Sequence, residues 1–451
     1  MNKQPNAGNS SEYYLPYLED PAILHTYPNG HRLIIIRKPG DILHLQTNVL
    51  VGASYEDETN NGVSHFLEHL MFKGTAKYPV GEFDKIMEGM GARINAATSD
   101  DCTYYYATFP KDDDGGNLRL AMELQADMLM NAALPADEIG PEIDLNDMEN
   151  GEKRERMVVL EEILMGKDNP FRRAIKKLNE LLMPTHPYRR EVIGTEEIIA
   201  HISRDDIYAF YRKWYVPNAM VTTVAGEVDP AEIIEMVAKY YNFADCKPAV
   251  FPLLTMDKPP TRNTETVTAP QNVAYILTGF LTPPAKQVED TCALDAISLI
   301  LGGSVSCRMQ MELIEKLPNT PFIAVGGGNY TMRDCGRYLN YAIVNHERVE
   351  EAQELFMGVL NRIITDPPTL AELDMAKICL ESQFATQVER VVGMADLASS
   401  MMVENMGLDY VQKNLDIIRS LTIDDLKNTA EKYLHTENSC TVLVMPGEGN
   451  E

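Results

Sequence analysis

His65, Glu68 and His69 lie within one short apolar run, Gly62 to Gly74. At 3.6 residues per turn the two imidazoles stand one above the other, and Glu68 is the i+3 neighbour of His65. Phe66, Leu67, Leu70 and Met71 form the adjoining apolar face, so the polar stripe is expected to be buried. A buried polar group without a partner costs roughly 2 to 7 kcal/mol, and three of them call for one shared partner, a divalent cation. Imidazoles at i and i+4 can both reach a zinc ion, while the glutamate just before the second histidine can face a zinc-bound water without ligating the metal. The chemistry is metal-assisted hydrolysis, with zinc acidifying the water and Glu68 taking its proton. A core helix that merely contains histidines is the competing reading, and the three-part pattern argues against it.

The order His-x-x-Glu-His is that of the inverted zincins. A catalytic zinc takes three protein ligands and keeps one position open, so one more side chain must come from elsewhere. Glu155 and Glu162 are seven residues apart and share a helical stripe with Val158 and Val159. Carboxylates flanking that apolar pair are expected to look inward, whereas Glu161, rotated by about 100°, would face solvent and is the second choice. Taken alone, an acidic helix reads as a solvated face; the histidine motif changes that reading.

With these residues in hand the chain resembles the pitrilysin, insulin-degrading enzyme and mitochondrial processing peptidase family of zinc metallopeptidases, and in length a bacterial zinc-carrying subunit. The resemblance runs along almost the whole chain. It rests on His65 to His69 with Met71 to Thr75, on Gly91 to Ser99, on Glu155 to Glu162, and on His186-Pro187-Tyr188, Ile193-Gly194 and Tyr215 to Asn218. It implies that His65, His69 and Glu162 bind one zinc ion per chain, that Glu68 is the general base, and that Glu155 supports the site without ligating. One departure is the 93-residue separation of His69 and Glu162, longer than the family pattern. The excess falls in Pro135 to Glu152, which reads as an acidic surface insertion broken by Gly140 and Pro141.

Ile94 to Thr98 and Thr103 to Phe109 favour β structure around the turn signal Ser99-Asp100-Asp101, predicting a hairpin. By the resemblance, Asn95, Ala96, Ala97 and Thr98 form an open edge to which an extended peptide adds through main-chain hydrogen bonds. An ordinary buried hairpin is the alternative.

A chain of 451 residues with 45% hydrophobic composition can bury ample core, and two domains are expected. Residues 1–245 would form the zinc-binding domain, 246–270 a Pro-rich linker and 271–451 a related second domain. A weak repeat supports this: Ser203 to Ile207 leads through Lys213-Trp214-Tyr215 to an apolar Met220 to Ala225, and Thr422 to Leu426 leads through Lys432-Tyr433 to Cys440 to Met445. The implied fold class is α+β, a pair of related domains, each a mainly antiparallel sheet packed by helices.

The formal net charge of −27 argues against nucleic acid or an anionic membrane as partner and favours basic or unfolded peptides, although such a balance also serves solubility. Met1 to Ser11 lacks the apolar run of a signal peptide, no stretch approaches the ~20 apolar residues of a membrane span, and seven cysteines without a Cys-x-x-Cys pair suit a reducing compartment. A cytoplasmic protein is expected. Gly326-Gly327-Gly328 lacks the phosphate-loop pattern and reads as a turn beside a strand.

Active members of the resembling family use an Arg and, seven residues later, a Tyr from a carboxy-terminal domain to steady the developing oxyanion. Here the expected helix reads Arg308 to Pro318, with Ile314 at the Arg position and Phe322 near the Tyr position, and no Arg from 262 onward has a Tyr seven residues later. The expectation is therefore a heterodimer in which a homologous subunit supplies Arg and Tyr; a homodimer is the lesser alternative. A non-catalytic assembly subunit or a peptide-capturing module of the same fold are the rival functions.

Overall fold

The computed structural model describes residues 8–243, 246–256 and 260–447. Its packing divides the chain into two units: residues 1–163, 191–253 and 386–412 in the first, and 164–190, 254–385 and 413–451 in the second. The sequence suggested contiguous halves on either side of 246–270. The packing units cut across that boundary, because each long segment lends one helical stretch to the other unit.

The first unit is built on a seven-stranded sheet of β1 (Asn9–Tyr13), β2 (Ala22–Thr26), β3 (Arg32–Arg37), β4 (Ile42–Val49), β5 (Arg93–Thr98), β6 (Thr103–Pro110) and β7 (Met220–Gly226), in the order β1-β2-β3-β7-β4-β6-β5. Only β3 and β7 run parallel. They lie centrally and are buried on both faces, as Leu33 to Ile36 and the wholly buried β7 show. Strand β4 alternates instead: Leu43, Leu45 and Val49 enter the main core, and His44, Gln46 and Asn48 point to the opposite face. The core side is covered by the Val63–Met71 and Gly116–Asn131 helices, the other side by the Val391–Val403 helix, where Ser399 bonds Thr223 at 2.8 Å.

The second unit carries β8 (Asn263–Ala269), β9 (Ala274–Thr282), β10 (Phe322–Tyr330), β11 (Gly336–Val344) and β12 (Cys440–Pro446), ordered β10-β11-β9-β12-β8 with only β12 and β8 parallel. That arrangement repeats β5-β6-β4-β7-β3 strand for strand. The terminal repeat read from sequence is present too: Ser203 and Thr422 cap the Arg204–Trp214 and Ile423–Tyr433 helices, each followed by an interior strand, β7 or β12. The Val288–Leu301 helix, between β9 and the edge strand β10, holds the place that the Val63–Met71 helix holds in the first unit between β4 and the edge strand β5.

Three local expectations are revised. Gly326 to Gly328 form no turn; they lie inside β10, and a Cβ on Gly327 would stand 2.4 Å from Asn340 Oδ1, so glycine lets β10 close on β11. The Arg308 segment is helical, but Gln310–Glu315 winds as a π-helix, with Lys316 N–H donating to the Met311 carbonyl five residues back. The acidic stretch 135–152 is anchored rather than purely superficial, because Ile139 and Ile143 enter the core and Ile143 N–H bonds the Ala200 carbonyl.

Candidate metal centre

The Val63–Met71 helix begins without a Ser, Thr, Asp or Asn cap; its first amides are met by Glu56. That buried carboxylate accepts from Gly62 N–H and Ser64 N–H, both at 2.7 Å, and from the Asn61 amide at 2.9 Å. A negative charge at this end also suits the helix dipole. Phe66, Leu67 and Leu70 seat the helix in the core, which turns His65 and His69 toward one side with their rings 4.8 Å apart.

Glu162 meets them from the Glu155–Lys167 helix. Its Oε2 lies 3.7 Å from His65 Nε2 and 3.8 Å from His69 Nε2. Among the described residues these three side chains form the cluster able to hold a metal, with one donor atom from each within 4.8 Å of the others. Glu161 has no part in it. Glu155 reaches the other nitrogen of His69, Nδ1, at 3.2 Å, and its second oxygen meets Lys73 Nζ at 2.6 Å. His69 Nε2 is thereby the atom turned to Glu162. This is the outer-shell arrangement that orients a ligating imidazole. Two imidazole nitrogens, one carboxylate oxygen and a second carboxylate behind one imidazole suit zinc.

The carboxylate helix is held by Arg156, which is buried, donates to the Ile199 and Ile202 carbonyls and lies over the Phe66 ring. Its buried side is Met157, Val159, Leu160 and Ile163, and Val158 is 43% exposed. The carboxylates beside the valine pair were expected to look inward; Val159 does, but Val158 does not, and the Glu162 side chain is 47% exposed. Glu155, Val158 and Glu162 form the stripe turned away from the core, which keeps Glu162 accessible.

Glu68 points along the helix edge toward β5, where its Oε2 accepts from Thr98 Oγ1 at 2.6 Å. Burial pushes the Glu68 carboxyl above its ordinary value, and the Thr98 hydroxyl only partly offsets this. Burial also opposes a charged His69, but the bond to Glu155 and the charges of Glu68, Glu155 and Glu162 together raise it. Glu155 itself is held low: burial works against ionisation, and its bonds to His69 and Lys73 outweigh it.

Strands β5 and β6 form the hairpin expected from sequence, paired from Arg93 with Thr108 to Thr98 with Thr103. Strand β5 ends the sheet, so the edge bearing Asn95, Ala96, Ala97 and Thr98 has no strand beyond it among the described residues. Beneath it Tyr105 and Tyr215 share a buried hydroxyl contact of 2.7 Å, which explains one quoted motif. His186-Pro187-Tyr188 lies in the second unit, where His186 Nδ1 accepts from Tyr188 N–H.

Sequence reasoning missed Glu56, Lys73 and Arg156. Lys73 continues the His65, His69 spacing by four, a signal that was available. Glu56 and Arg156 act across gaps in sequence that no periodicity spans.

Two family profiles match the chain: Insulinase (Peptidase family M16) over residues 33–196, and Peptidase M16 inactive domain over residues 201–380. The chain belongs to the M16 peptidase family. It is 28% identical over 453 residues to a protein of Helicobacter pylori named zinc protease PqqE, covering 98% of this chain and 95% of that one. A solved protease from Helicobacter pylori superimposes with a TM-score of 0.84 at 26% identity, over 96% of this chain and 100% of that one. The fold is also that of a Pseudomonas fluorescens structure described as a peptidase M16 inactive domain, at a TM-score of 0.83, 20% identity and 95% and 99% coverage. Among the described residues no helix is long and apolar enough to cross a membrane.

Proposed function

We propose that this M16 chain is a zinc-dependent endopeptidase subunit that hydrolyses peptides. The observation that carries the reading is the placement of Glu162 within 4 Å of both imidazoles while Glu68, on the same helix, contacts the open edge strand through Thr98. His65, His69 and Glu162 hold the zinc, and the ion supplies Lewis acidity toward a peptide carbonyl and a water molecule. A peptide added to β5 lies with its backbone fixed beside Glu68. Glu68 takes the proton of the attacking water and returns it to the leaving amine, a role that a carboxyl raised by burial fits. Glu155 fixes the His69 ring, and Lys73 keeps Glu155 ionised.

In this reading the first half, 1–245, carries the chemistry and 271–451 is its related counterpart. A homologous subunit supplies the Arg and Tyr donors. Ile314 and the buried Phe322 occupy the expected positions here and offer no such donor. The cytoplasm is the proposed compartment, on the number and spacing of the cysteines.

Zinc content and peptide cleavage test this together. His65→Ala, His69→Ala and Glu162→Gln lose zinc; Glu68→Gln keeps it and loses about 100- to 10,000-fold in rate; Glu161→Gln behaves as the parent. Full activity in Glu68→Gln, or zinc loss in Glu161→Gln but not in Glu162→Gln, sinks the assignments. The isolated chain should cleave poorly and gain orders of magnitude with its partner, and brisk turnover by the chain alone removes the heterodimer.

A further inference from the structure

The sequence reads residues 246–270 as a linker, yet after the Pro230–Tyr240 helix the chain is still fastened to the first unit. One side chain grips both backbone groups of Ala249: Asn218 Nδ2 donates to its carbonyl at 2.9 Å, and Asn218 Oδ1 accepts from its N–H at 2.8 Å. A neighbouring strand would offer the same pair of bonds. Two residues on, the Phe251 ring lies 5.5 Å from Tyr55 and 5.6 Å from Trp214, which are themselves 5.1 Å apart. Ala249 and Phe251 pack against the main core, while Val250 and Leu253 are 82% and 84% exposed. Residues 249 to 253 are thus a strap, pinned by an amide at one point and by a ring at another.

The Tyr55 ring on which Phe251 rests belongs to a segment wired to both parts of the metal centre. Tyr55 ends the short 3-10 turn Ala53–Tyr55. Just before it, Ala53 N–H bonds the Ser99 carbonyl at 3.1 Å and Ser54 N–H the Asp100 carbonyl at 2.9 Å, in the turn that follows Thr98 at the end of β5. Just after it, Glu56 accepts from Gly62 N–H and Ser64 N–H at the start of the histidine helix. Residues 53 to 56 therefore set how the histidine helix stands against β5, the spacing across which Glu68 meets Thr98. The backbone of this segment is tied at both ends, and the Tyr55 side chain is the handle that the strap holds. Close-packed groups transmit such a constraint, whereas a ring with a void beside it can shift.

We propose that Phe251 is a positioning residue for the metal centre: the strap, seated through Phe251 and Asn218, holds Tyr55, and through the 53–56 segment and Glu56 it fixes the start of the histidine helix and so the placement of His65 for zinc. This rests on the zinc reading above for the presence of a metal. It adds that the linker takes part in holding it. Coupling of this kind is reciprocal, so by whatever factor the seated strap strengthens zinc binding, zinc strengthens the seating of the strap.

Both directions are measurable in the full-length Glu68→Gln protein, which retains the zinc ligands. Trp214 is the only tryptophan of the chain, so its emission reports the Phe251 seat in every variant. Zinc affinity is read by competition with a chelator. Phe251→Ala should weaken zinc binding by about 5- to 20-fold, and Phe251→Leu, which refills the seat, should recover most of it. Asn218→Ala releases the other pin without touching the aromatic cluster, so it carries the test if Phe251→Ala does not fold; it should weaken zinc binding too, and the double variant should lose less than the two losses combined. Val250→Ala and Leu253→Ala, on the solvent side of the same strap, should bind zinc within about twofold of the parent. In the reverse direction, saturating zinc should slow hydrogen exchange of the Ala249 amide, followed by mass spectrometry. Parent-like zinc affinity in both Phe251→Ala and Asn218→Ala, an equal loss in Val250→Ala, or Ala249 exchange indifferent to zinc overturns the proposal. Failure of the zinc reading shows differently: the parent itself would then take up no zinc, and the strap proposal would fall with it.

Discussion

Gly62 and Gly194 are in direct backbone contact: a Cβ on Gly62 would lie 2.8 Å from the Gly194 Cα, and one on Gly194 would lie 2.6 Å from the Gly62 Cα. Both have positive φ, 98° and 84°. Gly62 opens the histidine helix, so this contact sets where that helix starts. Gly194→Ala should destabilise the fold by about 1 to 3 kcal/mol in urea denaturation and lower zinc occupancy with it. A parent-like midpoint would show that the loop relaxes freely.

Glu155 should matter to the metal without touching it. Glu155→Gln is expected to weaken zinc binding by about 10- to 100-fold in competition with a chelator. Lys73→Met should have a smaller effect in the same direction. If Glu155→Gln binds zinc like the parent, the His69 ring is held by other means.

Histidine burial predicts an acid limb. His31 is fully enclosed, bonded to Thr222 at 2.9 Å within a Thr47, Gln125 and Tyr241 network. Burial, aided by Arg32, drops its pKa from 6.5 to about 3. The folded value is depressed, so below pH 6.5 the unfolded chain binds a proton that the folded chain refuses. Stability should fall by up to about 1.4 kcal/mol per pH unit as pH goes from 6.5 toward 3, and His25, His44 and His186, also lowered by burial, add to it. Replacing His31 by Asn should flatten this slope in denaturation at stepped pH while lowering stability at pH 8; an unchanged slope would refute the assignment.

A second acid-sensitive element lies in the other unit. Arg308 forks onto Glu372 at 2.7 and 2.9 Å, and Thr369 N–H and Oγ1 also bond that carboxylate. The Arg308 bonds bring Glu372 from 4.5 to about 2. Its stabilisation is complete above pH 4.5 and is lost as pH falls toward 2. Glu372→Gln should cost about 2 kcal/mol at pH 7, a figure reduced for partial exposure, and much less at pH 2.5. Equal losses at both pH values would mean that packing, not charge, matters there.

What the sequence disclosed and what it withheld divide along a physical line. His65, Glu68 and His69 were legible because one helix turn brings them together, and Glu162 because seven residues return it to the stripe of Glu155. The β5–β6 hairpin was legible from its turn. The π-helical winding after Arg308, the buried anchors Ile139 and Ile143, and the exposure of Val158 depend on what packs against each segment, and no local spacing encodes that. The same holds for the exchange of residues 164–190 and 386–412 between units.

The hydrogen bond from Glu68 to Thr98 has a counterpart where no hydrolysis is expected. In the second unit Asp295, on the helix equivalent to the histidine helix, accepts from Asn329 on the equivalent edge strand β10 at 2.9 Å. That helix contains no histidine. A carboxylate tied to the outermost strand thus exists with and without a metal pair beside it, with different side chains on both ends of the bond. Its common service is mechanical: it moors a border strand that has a neighbour on one side only, against fraying into solvent. The proton transfer proposed for Glu68 would then be a second duty placed on a mooring post, and the duplicate keeps the post without the duty.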